Sequence, residues 1–166
     1  MTKITSTIIL FMTLLSHTPA KAEMVYADIQ YTNTNEKTLE AKRAALIFKE
    51  RIWDRKSIHY LGYTNLFAKN RTIEIAILHD TEYCDNPANS RYETRMYSKC
   101  PAIIIESSKS NQNRILSQIC LINVLKEDNP QKNKTYAEYD DQKNSLIIKT
   151  VQNGEIQNAC TQTIRF

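Results

Sequence analysis

Glycine is nearly missing from this chain. Only Gly62 and Gly154 occur in 166 residues, so there is no glycine-rich phosphate loop, and neither residue forms a Gly-x-Ser-x-Gly hydrolase elbow. Four prolines are too few for a proline-rich linker. The four cysteines include no Cys-x-x-Cys pair, and no His-x-x-x-His or His-Glu-x-x-His occurs, so zinc and thiol-redox centres lack local support. No apolar run approaches the roughly 20 residues that a membrane helix needs. With 42% hydrophobic and 24% charged residues, disorder, collagen and coiled-coil arrays are excluded. The length fits one domain.

What is present begins with an export signal. Lys3 supplies a positive start, Ile8 to Leu15 an apolar stretch, and Ala20-Lys21-Ala22 a small-x-small cleavage pattern. Residues 1–22 are therefore expected to be a signal peptide and 23–166 a single domain, secreted or, in a bacterium, periplasmic. Removing that segment takes Lys3 and Lys21 and no acid, leaving 20 basic against 18 acidic residues, a net charge of +2. That balance argues for neither nucleic acid nor membrane insertion.

Cys84, Cys100, Cys120 and Cys160 all lie beyond the signal. Export and an even count favour two disulfides over free buried thiols, with three pairings open.

Along the chain, residues 24–31 are expected to be extended. Thr34 or Asn35 then caps a helix over 36–56, where Leu39, Leu46 and Trp53 form an apolar stripe. A strand over Ile58 to Ala68, bending at Gly62, leads through the Lys69-Asn70-Arg71 turn into Thr72 to His79. There Ile73, Ile75 and Ile77 alternate with Glu74, Ala76 and Leu78, the period of a half-buried strand. A polar loop follows between Cys84 and Cys100, then a short strand at Ile103 to Ile105. Residues 114–125 suit helix and strand alike, with strand favoured from Ile119. Residues 128–134 form a polar loop, and Asn153-Gly154 joins strands at 146–152 and 155–166. Strand, long helix, then strands is the order of an α+β fold, with one long N-terminal helix packed on a curved antiparallel sheet.

That order resembles the cystatin superfamily. The residues that carry the resemblance are the helix at 36–56, the strand RTIEIAILHDTEYC ending at Cys84, Cys100-Pro101 after a polar loop, Cys120 within an apolar strand, and Cys160. It implies a sheet wrapped around one helix and first-to-second, third-to-fourth disulfides. The family's protease wedge is missing: there is no N-terminal glycine after the signal, Leu66 to Asn70 lacks the Gln-x-Val-x-Gly pattern, and Pro130 has no tryptophan beside it. The resemblance therefore implies a divergent member without papain-type inhibition.

Several residues are candidates for sites. Asn70-Arg71-Thr72 and Asn133-Lys134-Thr135 are glycosylation sequons, each in an expected turn. Tyr92, Arg95 and Tyr97, in or beside the Cys84–Cys100 loop, have the chemistry of a protein-binding surface. His59 and His79 would supply the general acid and base of a secreted ribonuclease if the hairpin brought them together. The acidic pairs Glu127-Asp128 and Asp140-Asp141 are expected in solvated loops. The sequence thus points to an exported, disulfide-stabilised protein that binds another protein and uses no cofactor. A periplasmic immunity protein and a ribonuclease are the alternatives.

Overall fold

The computed structural model describes residues 24–50, 58–79, 83–85, 97–122 and 129–166. Of these, 62% lie in strands and 10% in helical segments. This overturns the expected α+β fold, and the chain does not adopt the cystatin-like frame of one long helix on one sheet. Ten strands form two antiparallel sheets. The central sheet, in order, holds β2 (Gln30–Asn33), β3 (Tyr60–Ala68), β4 (Arg71–His79), β5 (Tyr97–Ser108) and β6 (Gln112–Ile122). The outer sheet holds β1 (Met24–Asp28), β7 (Lys134–Asp140), β8 (Ser145–Gln152) and β10 (Gln162–Arg165), with β9 (Glu155–Ile156) also on β8.

The central sheet is buried on both faces. Ile73, Ile75, Ile77, Ala102 and Ile104 meet Ala137, Tyr139, Leu146 and Ile148 of the outer sheet. On the other face, Leu61, Ala76, Leu78, Ile103 and Ile105 pack under α1 (Leu39–Ile47). Strands covered on both sides need apolar residues at consecutive positions. The run Ile103-Ile104-Ile105 supplies them, and β4 is buried on both faces from Ile75 to Leu78. At the junction of β1 and β2 the chain changes sheets at Ile29, whose N–H donates to Thr135 O at 2.9 Å. A Cβ on Gly62 would lie 3.2 Å from Ile29 Cγ2, 3.2 Å from Leu121 Cδ2 and 3.3 Å from Ile77 Cβ. Glycine is the residue that lets this crossing pack down on β3.

The helix is shorter than expected and turned differently. Thr38, not Thr34 or Asn35, is its N-cap, and its hydroxyl accepts from Ala41 N at 3.2 Å. Ala41, Ala44, Ile47 and Phe48 are buried, while Leu39 is 77% and Leu46 57% exposed, so the expected stripe faces solvent; Trp53 lies outside the described residues. The small alanines permit close approach to the sheet. At the flank, Arg43 grips Glu74 of β4 through Nε at 2.6 Å and Nη2 at 2.5 Å, and the Tyr63 hydroxyl donates to the same carboxylate at 2.8 Å.

Asn153-Gly154 joins β8 to β9 with φ of 55° and 87°, as the dipeptide predicted. The expected strand over 155–166 is interrupted: after β9 comes a single 3-10 turn, Asn158–Cys160, before β10 returns to the first half of β8. β7 was not foreseen. Asp140 is buried, accepting at 3.1 Å from both Gln142 N and Lys143 N to shape the β7–β8 turn, rather than lying solvated. Two disulfides, Cys84–Cys100 and Cys120–Cys160, close loops of 16 and 40 residues, contributing about 3 and about 4 kcal/mol in the chain-entropy picture. They place the chain in an oxidising compartment. Among the described residues no helix is long and apolar enough to cross a membrane.

Substituting Gly62→Ala forces the crossing at Ile29 outward, and urea denaturation should show a loss of about 1–3 kcal/mol; an unchanged midpoint contradicts the close packing. Glu74 gives a pH signature. The Arg43 hydrogen bonds hold its carboxyl below the usual carboxylate range, burial opposes them, and Tyr63 adds to the lowering. The stabilisation is complete above the unfolded value of about 4.3, and is lost as pH falls from there through the native value. Wild-type stability should therefore drop more steeply below about pH 4.3 than that of Glu74→Gln, and parallel curves would remove this role.

Candidate functional site

A sandwich of open sheets has four edges. Here two of them merge, because the β1–β2 segment runs through both sheets at Ile29. The remaining edges are β6 of the central sheet and β10 of the outer; β6 runs past β7 and β8 and meets β10 at Ser117. Among the described residues no main-chain hydrogen bond joins them. They meet through side chains: Gln162 Nε2 donates to Ser117 Oγ at 2.7 Å, and Cys160 is bonded to Cys120, with Cα atoms 5.5 Å apart.

The main chain of β6 divides at this disulfide. In an antiparallel strand, alternate residues turn both N–H and C=O toward one neighbour. Cys120 O accepts from Thr135 Oγ1 at 3.0 Å and Thr150 Oγ1 at 2.9 Å, Ile122 N donates to Thr135 Oγ1 at 3.3 Å, and the Tyr31 hydroxyl donates to Ile122 O. Cys120 and Ile122 thus point away from β5, and so do Gln118, Leu116 and Arg114. Beyond the disulfide the outward groups are met by side chains of the outer sheet and β2. Before it, those of Arg114, Leu116 and Gln118 have no partner among the described residues.

Beside this open stretch runs a cleft of about 600 Å³, lined by Lys99, Leu116, Gln118, Ala159, Thr161 and Gln162 among others. Leu116 is 65% exposed and also borders a second hollow of about 340 Å³, formed with Ile47, Phe48, Glu50, Ile103 and Arg114 under the end of α1. Gln162 Oε1 is buried without a hydrogen-bond partner. Rotating that amide by half a turn exchanges its two atoms and still leaves one unmet.

The other polar clusters are paired within themselves, except that the buried Arg71 Nε has no hydrogen-bond partner among the described residues. At one end of the sandwich, Arg71 bridges Glu106 at 3.2 Å and Asn144 at 2.6 Å over the Tyr139 ring, and Asn113 donates to Glu106 at 2.9 Å. On the outer face, Lys134 lies 5.1 Å from the Tyr26 ring centre and 5.5 Å from that of Tyr136, with Asp28 at 3.3 Å. The Lys134 ammonium pKa is raised, chiefly by its hydrogen bond to Tyr26.

The residues singled out from sequence fare unevenly. Asn70 is exposed at the β3–β4 turn, whereas Asn133 is 5% exposed and its Oδ1 accepts from Asn153 N at 2.8 Å, so it is not presented to a glycan as expected. Tyr97 is buried with Cys120, Ile122 and Cys160 and offers no docking surface, while Tyr92 and Arg95 lie outside the described residues. His79 pairs across the hairpin with Tyr60 rather than His59; His59 precedes β3, its N–H donating to Thr34 Oγ1 at 3.1 Å. No group of three or more metal-ligating side chains occurs among the described residues. The seam itself was not foreseen; the only trace in sequence is Leu116, an apolar residue between Arg114 and Gln118.

No family model matches the chain, and neither a curated protein nor a solved structure does.

Backbone amide exchange checks the edge directly. Ile115, Ser117 and Ile119, turned toward β5, should exchange slowly, and Arg114, Leu116 and Gln118 fast. Uniform protection along β6 would mean the edge is covered.

Proposed function

We propose that this chain is an exported, disulfide-stabilised binding protein, secreted or periplasmic, whose partner is another protein and whose action needs no cofactor. It holds an extended segment of that partner against β6. One observation carries this: a strand edge with three successive outward residues that have no main-chain partner among the described residues, beside a cleft and an exposed leucine. Proteins ordinarily blunt such edges with charge, proline or a covering loop. An incoming strand satisfies the main-chain groups and gains affinity from them, while pockets beside the edge read its side chains. The disulfides and the two-sided core hold the edge rigid, so little order is lost on binding.

Selection from a displayed random-peptide library tests this. Selected peptides should bind the whole chain and slow the exchange of the Arg114, Leu116 and Gln118 amides. Leu116→Pro removes one outward N–H without breaking the ladder to β5, and should weaken binding at least about tenfold, roughly 1.4 kcal/mol, with melting little changed. Leu116→Lys is a second variant that keeps the backbone intact. Peptides that protect other amides, or a library without binders, would overturn the reading.

A further inference from the structure

Resting on that reading, the structure assigns a side-chain pattern to the captured segment: an acidic residue, any residue, an apolar residue, any residue, then a second acidic residue. The pattern follows from which side chains flank the open edge. Leu116, Arg114 and Gln118 project on the same face of β6, since alternate residues share a face. That face is the one beneath α1, because Leu116 and Arg114 both border the hollow with Ile47, Phe48 and Ile103. A residue placed opposite Leu116 packs against that exposed leucine at the rim of the hollow, so an apolar side chain fits.

Two residues away on either side, the cross-strand neighbours are charged or polar. Arg114 is exposed, and among the described residues its Nη2 reaches only the Ile47 carbonyl, at 3.4 Å. On the other side lie Gln118 and Lys99, both lining the cleft. Lys99 is exposed on β5 opposite Cys120. Neither Lys99 nor Arg114 forms an ion pair among the described residues. Among the described residues no acid lines the cleft and Glu50 is the one acid beside the hollow, while Asp85 pairs through its main chain with Lys99 on the side of β5 away from β6. Opposite charges set directly across a pair of strands favour the pairing and like charges oppose it.

The same charges argue against a second copy of this chain as the occupant. From Gln112 to Ile122 the strand QNRILSQICLI carries one arginine and no acid, so two copies brought edge to edge would add positive charge to a cleft already positive.

Capped synthetic peptides decide the matter. The probes are Thr-Glu-Thr-Val-Thr-Glu-Thr, the same sequence with lysine for glutamate, and the same with serine for valine, titrated against the whole chain with amide exchange as a second readout. The acidic peptide should bind at least about tenfold more tightly than either other, its advantage fading with added salt. Lys99→Glu combined with Arg114→Glu, both at exposed positions, should transfer the preference to the lysine peptide. Equal binding of acidic and basic peptides overturns the charge assignment, and equal binding of the serine peptide overturns the apolar one. Library peptides that still protect β6 in either case would leave strand capture standing. Sedimentation showing a dimer of the free chain with Arg114, Leu116 and Gln118 protected would replace the peptide with a second copy and overturn the inference.

Discussion

The passage of one strand through both sheets at Ile29 governs the rest of this structure. Because β1 pairs with β7 and β2 with β3, the sandwich is sealed along one side by covalent continuity. Hydrogen bonding must then run out on the opposite side, where β6 and β10 end their sheets. A barrel would close there by pairing the two strands, abolishing the edges. Here β6 is tied to the outer sheet by Cys120–Cys160, by Gln162 of β10 on Ser117, and by the hydroxyls of Thr135 on β7 and Thr150 on β8, both on Cys120 O. Side chains hold the edges near one another without using up the main-chain groups between them.

That arrangement explains why the central sheet is so apolar. It has the outer sheet on one face and α1 on the other, so the middle of β4, Ile75 to Leu78, and of β5, Ala102 to Glu106, is buried at every position. The helix itself is a cover. Its alanines allow close packing, and the Arg43 fork on Glu74 fixes its rotation at a partly buried site where charge-assisted bonds are strong. Rigidity at the seam follows from both: β6 is backed by β5, and β5 by a core closed on two sides.

Local patterns were read well where they depend on nearest neighbours. The Lys69-Asn70 turn, the alternation of Ile73, Ile75 and Ile77, the Asn153-Gly154 hairpin and the extended start of the chain are set by short-range sterics and period. Patterns that depend on what lies opposite were misread. Leu39 and Leu46 recur at the spacing of a buried stripe, but the sheet takes the smaller face of Ala41, Ala44 and Ile47. Tyr97 has the chemistry of an interface residue, yet the disulfide at Cys120 folds over it. Asn133 stands in a polar run and is buried because the β8–β9 turn uses its side chain. The single long helix failed for the same reason, since an alanine- and lysine-rich segment carries helical propensity far beyond the length that packing uses.

The sequence by itself determined the absence of glycine-rich and metal-ligand motifs, an even set of cysteines, the main turns and the alternation of the best strand. These are written in composition and in spacings of a few residues. Tertiary structure alone decided how many sheets there are, which helix face is buried, how the cysteines pair, and where β6 meets the outer sheet. Each of these turns on residues far apart in the chain. Arg71 and Asn144, or Ser117 and Gln162, become neighbours only after the strand at Ile29 has committed the two sheets to face one another.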